Sequence, residues 1–505
     1  MSLYPQFRYK AIVFDMDGTL INSDELVLNI YKKLTEQYKS QIPFESLDPN
    51  DVLALSYPEV LTRLYGSFQD QHMNAILSWH SQLKHQYLTI YPGVRDMLES
   101  LKNQGYKLGL LTSEMHAIAI DEMKILGIDH FFDRVIAFDD VKKPKPHPDG
   151  LIELMKAFNC QTHEIMMIGD QTSDALAAKA LGIYSILVDH ERSKPQSFLN
   201  VYHHVAYSAH EIMKLIKRQE SLFLTIPNNR DLKIIQFTDL HLMNDEKDDM
   251  TYQLMSSLIQ HEKPDFIAIT GDQTMSKDAV MLYRELGQFM DSHQIPYSFV
   301  FGNHDTEGGT YQELIDAISD STYLLFDQGP LHLGYSNFCM TLLDQNKPVG
   351  KLVFMDSHID DFFMIDGKKT WGYGVFSEDQ LAWYDLKLIN PVPHLIFFHI
   401  PLVELKETSP HDSMHQGDYY ESPSTQGINT GFFQRAILTK QAKGMFYGHD
   451  HLNDFTYEKE GILLAYGRVS GHYDYAMPGF PKGARIITFH PSGKLHTHIV
   501  IHHSK

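Results

Sequence analysis

The sequence predicts an α/β protein built in two halves. Two observations carry that expectation. Short apolar, β-like runs alternate with helix-like patterns through most of the 505 residues, as packed strand and helix layers require. The runs also fall into two sets with different motif orders, so the chain reads as a fusion and not as an internal repeat. Between the sets, Ile226-Pro-Asn-Asn-Arg-Asp231 punctuates the pattern. The expected division is 1–225 and 226–505.

The first half opens on Lys10-Ala-Ile-Val-Phe-Asp15-Met-Asp17-Gly18-Thr19, an apolar strand that runs into two aspartates. In extended backbone, residues i and i+2 point the same way, and Gly18 lets the chain turn. One carboxylate of such a pair can attack phosphorus while the other handles a proton. Residues 22–90 then show helical apolar spacing, at Leu26, Ile30 and Leu34 and again at Leu61, Leu64 and Tyr65. Pro92-Gly93 marks the return to the core, followed by the helix-like VRDMLESLKNQGY. The strand-like KLGLLT ends at Thr112, whose hydroxyl can hold a phosphoryl oxygen. Lys145, in Lys-Pro-His-Pro-Asp149, can neutralise the phosphoryl group and Asp15. The strand EIMMIG leads to Asp170 and Asp174, which with Asp15 offer hard oxygens to Mg2+. A last strand at 184–190 and a helix near 209–218 close this half.

Over residues 8–218 the series resembles the haloacid dehalogenase superfamily, in its branch with a helical cap. The resemblance implies a Rossmann-like haloacid dehalogenase core whose cap, at about 22–90, closes over the phosphate and excludes water. It makes Asp15 the nucleophile and Asp17 the general acid/base, with the Asp17 backbone carbonyl also on Mg2+. Arg63 in the cap reads as a surface ion pair before it reads as an anion site.

The second half carries five motifs: Asp239-Leu-His241, Gly271-Asp272, Gly302-Asn303-His304-Asp305, His399, and Gly448-His449-Asp-His451. Each follows a β-like run: KIIQFT, FIAIT, YSFVF, LIFF and MFY. That gathers carboxylate, imidazole and amide side chains at strand ends, which suits a pair of divalent ions. Two such ions can clamp both oxygens of a phosphoryl displacement.

Over residues 231–505 this series resembles the calcineurin-like metallophosphoesterases, which implies an α/β/β/α metallophosphoesterase sandwich. The resemblance puts Asp239, His241 and His451 on one metal and Asn303, His399 and His449 on the other, bridged by Asp272. His304 would stay off the metals and give a proton to the leaving group, with Asp305 orienting its ring. Purple acid phosphatases share much of the series but place a Tyr where this chain has Met275, and they lack a His at the position of His241. No tyrosinate-bound ferric ion is therefore expected. Mn2+ or Fe2+ fits the set, and Zn2+ is a further candidate. His358 and His472 read as structural imidazoles, and the polar stretch 405–430 reads equally as a site rim and as a surface loop.

Composition narrows the partners. A net charge of −21 repels extended polyanions, and the sequence shows no long basic run and no aromatic surface, so nucleic acid is not an expected partner. Two cysteines, Cys160 and Cys339, imply no disulfide framework. The N-terminus reaches acidic residues too early for a signal peptide, and no run of about eighteen apolar residues occurs. The expectation is a cytoplasmic protein with no membrane partner. Its oligomeric state is left open.

The expected function is a bifunctional phosphoesterase acting on small phosphorylated substrates. The first half would hydrolyse a phosphomonoester through an aspartyl-phosphate with Mg2+. The second would cleave a phosphomonoester or phosphodiester at a dinuclear site. Protein phosphatase or nuclease activity in the second half, or one half kept only for regulation, are the competing readings.

Overall fold

The structure is a computed structural model. It describes residues 9–53, 57–67, 69–199, 201–219, 222–226, 228, 230–330, 333–345, 347–365, 367–389, 391–409, 411, 415–473, 475, 477 and 479–502. Pro227 and Asn229 of the expected junction, and residues 410 and 412–414 of the 405–430 stretch, lie outside the described residues. The described chain forms two compact units, residues 8–217 and 218–505. The strand Phe223–Thr225 pairs in parallel with Phe338–Asp344, so it belongs to the second unit's sheet although it precedes residue 225.

In the first unit a six-stranded parallel sheet runs in the order Arg134–Ile136, Lys107–Leu111, Ala11–Phe14, Ile165–Gly169, Tyr184–Val188, His204–Ala206. The central strand is apolar on both faces because both are covered. Ile12 and Phe14 join one core cluster, and Ala11 and Val13 join another on the opposite face. The sheet continues one strand beyond the expected last strand at 184–190. His204–Ala206 is a three-residue edge strand, too short to show an alternating pattern.

The segment between the first two motifs is helical, with helices Asp24–Gln37, Tyr57–Tyr65 and Asp70–Tyr87. Leu26, Ile30, Leu34, Leu61 and Leu64 bury their apolar faces in the same cluster as Ile12 and Phe14. The chain enters and leaves this cap through paired strands, Ile21–Asn22 and Thr89–Ile90.

The second unit stacks two sheets. One has five strands in the order Tyr297–Val300, Phe266–Thr270, Leu232–Phe237, Gly483–Phe489, Leu495–Ile501. The other has eight, and at its centre Ala442–Tyr447, His394–Phe397 and Lys347–Phe354 lie side by side in parallel. Ile234, Phe266 and Val300 of the first sheet meet Phe354, Phe397 and Phe446 of the second in one core. Ile235 and Phe237 point the other way, into a core shared with residues of helices Glu246–Glu262 and Ala279–His293. Helices Glu378–Lys387 and Phe432–Thr439 cover the outer face of the second sheet. This is the α/β/β/α order. Among the described residues no helix is long and apolar enough to cross a membrane.

Candidate functional site

All five motifs of the second unit begin within two residues after a strand: Phe237, Thr270, Val300, Phe397 and Tyr447 are the strand ends. Parallel strands present their carboxyl ends together. Side chains far apart in sequence therefore converge along one edge of the sandwich. Asp239, His241 and His451 bring ligand atoms within 4.8 Å of one another, and so do Asp272, His399 and His449. Asp272 stands between the two groups. Its Oδ2 is 3.5 Å from His241 Nε2 in one group and 3.2 Å from His399 Nε2 in the other. Asp239 Oδ1 lies 3.6 Å from His451 Nε2.

These side chains are buried yet aligned for something other than each other. Among the described residues His241 Nε2, His399 Nε2, His449 Nε2 and Asn303 Oδ1 have no hydrogen-bond partner. Buried polar atoms are almost always satisfied, so the three imidazole orphans, which belong to the converging groups, mark a place for cations. Their outer atoms are tied down. His399 Nδ1 donates to the Thr270 carbonyl at 2.8 Å, which turns its Nε2 lone pair inward. Asp239 accepts from the Thr238 hydroxyl at 2.7 Å, and Asp272 Oδ1 accepts from the His304 N–H at 2.9 Å. Four of the group members, Asp239, His241, Asp272 and His449, hold left-handed backbone with φ of 52°, 48°, 52° and 79°. Such strain costs about 1–3 kcal/mol per residue and collects at functional sites.

The electrostatics agree. Burial opposes charge on His241, but Asp239 and Asp272 hold its pKa up at about 10. Burial likewise opposes charge on His399, and Asp272 with Asp239 holds it up at about 9. Asp239 and Asp272 are pulled well below the usual carboxylate range despite their own burial, by these rings and, for Asp239, by His451. Burial and the neighbouring His399 push His449 down to about 3. Buried carboxylates facing imidazoles are the donor set of a borderline divalent ion.

His304 sits beside this cluster, its ring 5.9 Å from that of His241 and about one third exposed. Asp305 does not orient it. The Asp305 carboxylate is fully buried and accepts the backbone N–H groups of Gly302, Asp272, Gln273 and Thr274 at 2.8–3.1 Å. The ring is held by Glu307, whose Oε1 is 2.6 Å from His304 Nδ1. Sequence reading passed over Glu307, although its i+3 spacing on a helical turn was a usable signal. Met275 packs its sulfur against His241 Nδ1. His358 pairs with Gln380 and His472 with Thr251, both outside the two groups. From the 405–430 stretch, Glu421 accepts the Leu452 N–H and Ser424 donates to Asp450, so this stretch borders the cluster. The expected lack of an aromatic surface is corrected. Trp371, Tyr420 and Tyr475 are each at least half exposed, and their wide separation in sequence hid them.

In the first unit Asp15 follows the central strand, and its backbone N–H is tied to Ile168 O at 2.8 Å. Lys145 is buried, with Nζ 2.6 Å from Asp15 Oδ1, 2.6 Å from Asp174 Oδ1 and 2.9 Å from Leu111 O. Asp15, Asp170 and Asp174 form a third group of possible metal ligands. Asp174 spends its second oxygen on the Gln171 N–H, while Asp170 Oδ1 is buried without a partner among the described residues. Burial, with Asp15 beside it, raises Asp174 to about 7; burial raises Asp170 to about 6, with Asp15 adding and Lys194 opposing. Asp17 accepts from the Ser23 hydroxyl at 2.7 Å, and its pKa is raised by burial, then by Glu122, Asp15 and Glu114. Gly18 has φ of 73°, and a side chain there would collide with Asp170. Thr112 is buried at the end of its strand and accepts from the Glu114 N–H at 3.0 Å. Lys194, which no sequence signal marked, pairs with Asp170 at 2.7 Å. Arg63 lies exposed on the cap helix Tyr57–Tyr65.

A two-unit α/β protein with three such clusters belongs to the phosphoric ester hydrolases. The chain belongs to two of their families: residues 12–188 match the haloacid dehalogenase-like hydrolases and residues 232–453 the calcineurin-like phosphoesterases. Both families use divalent metals. Among similar proteins, probable inactive purple acid phosphatase 29 of Arabidopsis thaliana is 30% identical over 303 residues, 51% of this chain and 77% of that protein. Probable inactive purple acid phosphatase 28 of the same plant is 28% identical over 319 residues, 54% of this chain and 78% of that protein. Pyrophosphatase PpaX of Halalkalibacterium halodurans is 31% identical over 179 residues, 35% of this chain and 82% of that protein.

Proposed function

We propose that the chain is a bifunctional phosphoesterase whose two units each carry a working site. In the first unit Asp15 attacks phosphorus and the P–O bond to the leaving group breaks. Asp17 gives the leaving oxygen its proton, then takes one from the water that hydrolyses the aspartyl-phosphate. The raised pKa of Asp17 suits the first of these tasks. Lys145 holds Asp15 in line and offsets phosphoryl charge, and Thr112 offers a hydroxyl to a phosphoryl oxygen. Asp15, Asp170, the Asp17 carbonyl and the adjoining Asp174 would hold Mg2+, which offsets charge on the phosphoryl oxygens. The relative named as a pyrophosphatase makes inorganic pyrophosphate the first substrate to try on this site.

In the second unit Asp239, His241 and His451 would hold one ion and Asn303, His399 and His449 the other, with Asp272 shared. Mn2+ or Fe2+ suits these donors, with Zn2+ a further candidate; when bound, the ions neutralise phosphoryl oxygens and acidify water. His304, held by Glu307 at one ring nitrogen, passes a proton from the other to the leaving oxygen. The observation that carries the reading is Asp272, placed 3.5 Å and 3.2 Å from histidines of both groups. Two relatives have "inactive" in their names. The full ligand set in this chain supports a working site.

The test is hydrolysis of bis-p-nitrophenyl phosphate by the D15N protein supplied with Mn2+. Turnover identifies the second unit as a phosphodiesterase. If p-nitrophenyl phosphate alone is cleaved, the second unit is a monoesterase. If neither ester is cleaved, the second unit is not catalytic and the regulatory reading replaces this one.

A further inference from the structure

The second unit's ligand cluster is flanked by aromatic rings that its metal chemistry does not need. Tyr373 meets His449 edge to face, with centroids 4.4 Å apart at 84°. On the other group, Tyr475 lies flat on His451 at 4.2 Å and 13°. The Tyr475 hydroxyl accepts from the His451 N–H at 3.1 Å and donates to the Glu421 carboxylate at 3.0 Å. Beyond Tyr373 stands Trp371, 5.0 Å away and 50% exposed, its indole N–H donated to Asp360 at 2.9 Å. Trp371 lies opposite Phe362 in a two-stranded hairpin, Asp361–Ile365 with Lys368–Gly372, that belongs to neither large sheet. The same hairpin leaves Phe362 54% exposed.

Half-exposed Trp and Phe forgo part of the stabilisation that burying them would yield. Exposed apolar patches of this kind mark ligand grooves. Trp371 and Tyr373 stand at 65° to each other, so a planar ligand can meet one ring by its face and the other by its edge, the two arrangements that aromatic pairs favour. The rim carries both signs of charge: Asp360 accepts the Trp371 indole N–H, and Lys369 of the same hairpin lies 4.6 Å from the centre of the Phe362 ring. We infer that Trp371 and Tyr373, beside His449, form a leaving-group subsite for phosphoesters whose alcohol portion carries a planar aromatic ring. The inference rests on reading the second unit as a phosphoesterase and names the substrate class of that site.

A binding experiment separates the subsite from catalysis. Full-length D15N protein loaded with Mn2+ is titrated calorimetrically with benzylphosphonate and with cyclohexylmethylphosphonate. The two have the same anionic head and similar size, but only one is planar. Stacking on aromatic side chains gives about tenfold to hundredfold tighter binding of the benzyl compound. W371A in the D15N background is expected to bring the ratio close to one, and W371F to recover most of it. Equal affinities in the D15N protein, or a ratio that W371A leaves intact, overturn the inference. A preference for a long-chain alkylphosphonate over both overturns it in favour of an aliphatic leaving group. Because no turnover is read, a catalytically silent second unit would sink the proposed function while this ratio still decides the subsite. In an active protein, benzyl phosphate is expected to show a KM about tenfold or more below that of cyclohexylmethyl phosphate.

Discussion

His304 and Glu307 form a pair in which one residue reacts and the other positions it. A general acid contributes about 10²–10⁴ in rate, and its value grows as the leaving group becomes more basic. H304A is expected to lower kcat on alkyl phosphoesters by about that factor and on p-nitrophenyl esters far less. E307Q is expected to fall between wild type and H304A on the alkyl esters. Equal losses on both leaving groups would remove His304 from the acid role. His394, away from the cluster, controls stability instead. It is fully buried, takes a hydrogen bond from the Tyr384 hydroxyl at 2.8 Å and donates to Val392 O at 3.0 Å. Burial lowers its pKa from 6.5 to about 4. The unfolded chain takes up this proton below pH 6.5, and the folded one only below about 4. Stability is therefore lost as pH falls through that window, by about 3 kcal/mol at most. Urea unfolding of the second unit at pH 7 and pH 4.5 measures the loss, and H394Q is expected to reduce it.

At the scale of elements, the second site depends on loops clamped together at strand ends. Asp305 gathers four backbone N–H groups from the loops after Phe266–Thr270 and Tyr297–Val300. D305A orphans those donors at about 1–3 kcal/mol each before relaxation. The expected loss exceeds about 4 kcal/mol, with bound Mn2+ per chain falling in parallel; D305N keeps one acceptor oxygen and recovers part. Gly271 has φ of 90° at the same place, and a side chain on it would strike the His399 ring. The ligand motifs were legible in sequence because each polar cluster stops an apolar run, a contrast that a strand end produces and that short-range pattern detects. The role of Asp305 was not legible. A carboxylate next to His304 reads as its partner until the fold shows which backbone amides surround it. The His204–Ala206 strand was hidden by its length, Lys194 by having no motif, and the aromatic rim by lying on segments some hundred residues apart, 371–373 and 475.

At the scale of the whole molecule, the net charge of −21 is shared by two units that each own their sheets and core clusters. Independent cores predict separable unfolding, because cooperativity follows packed apolar contact. Metal that binds only the native state of one unit stabilises that unit alone, by about 2.7 kcal/mol at a hundredfold excess over Kd. Chelator-stripped protein titrated with Mn2+ in a scanning calorimeter is therefore expected to show two transitions. D272N removes the ligand shared by both metal groups. It is expected to abolish the Mn2+-dependent upward shift of the second unit's transition while the first unit's transition stays in place. D15N supplies the reciprocal control, since it touches only the first unit's site. A single transition that moves as one in both variants would mean that the units unfold as one body. In that case a substitution in one site would reach the other through stability, and separate assays of D15N and D272N would no longer report separate activities.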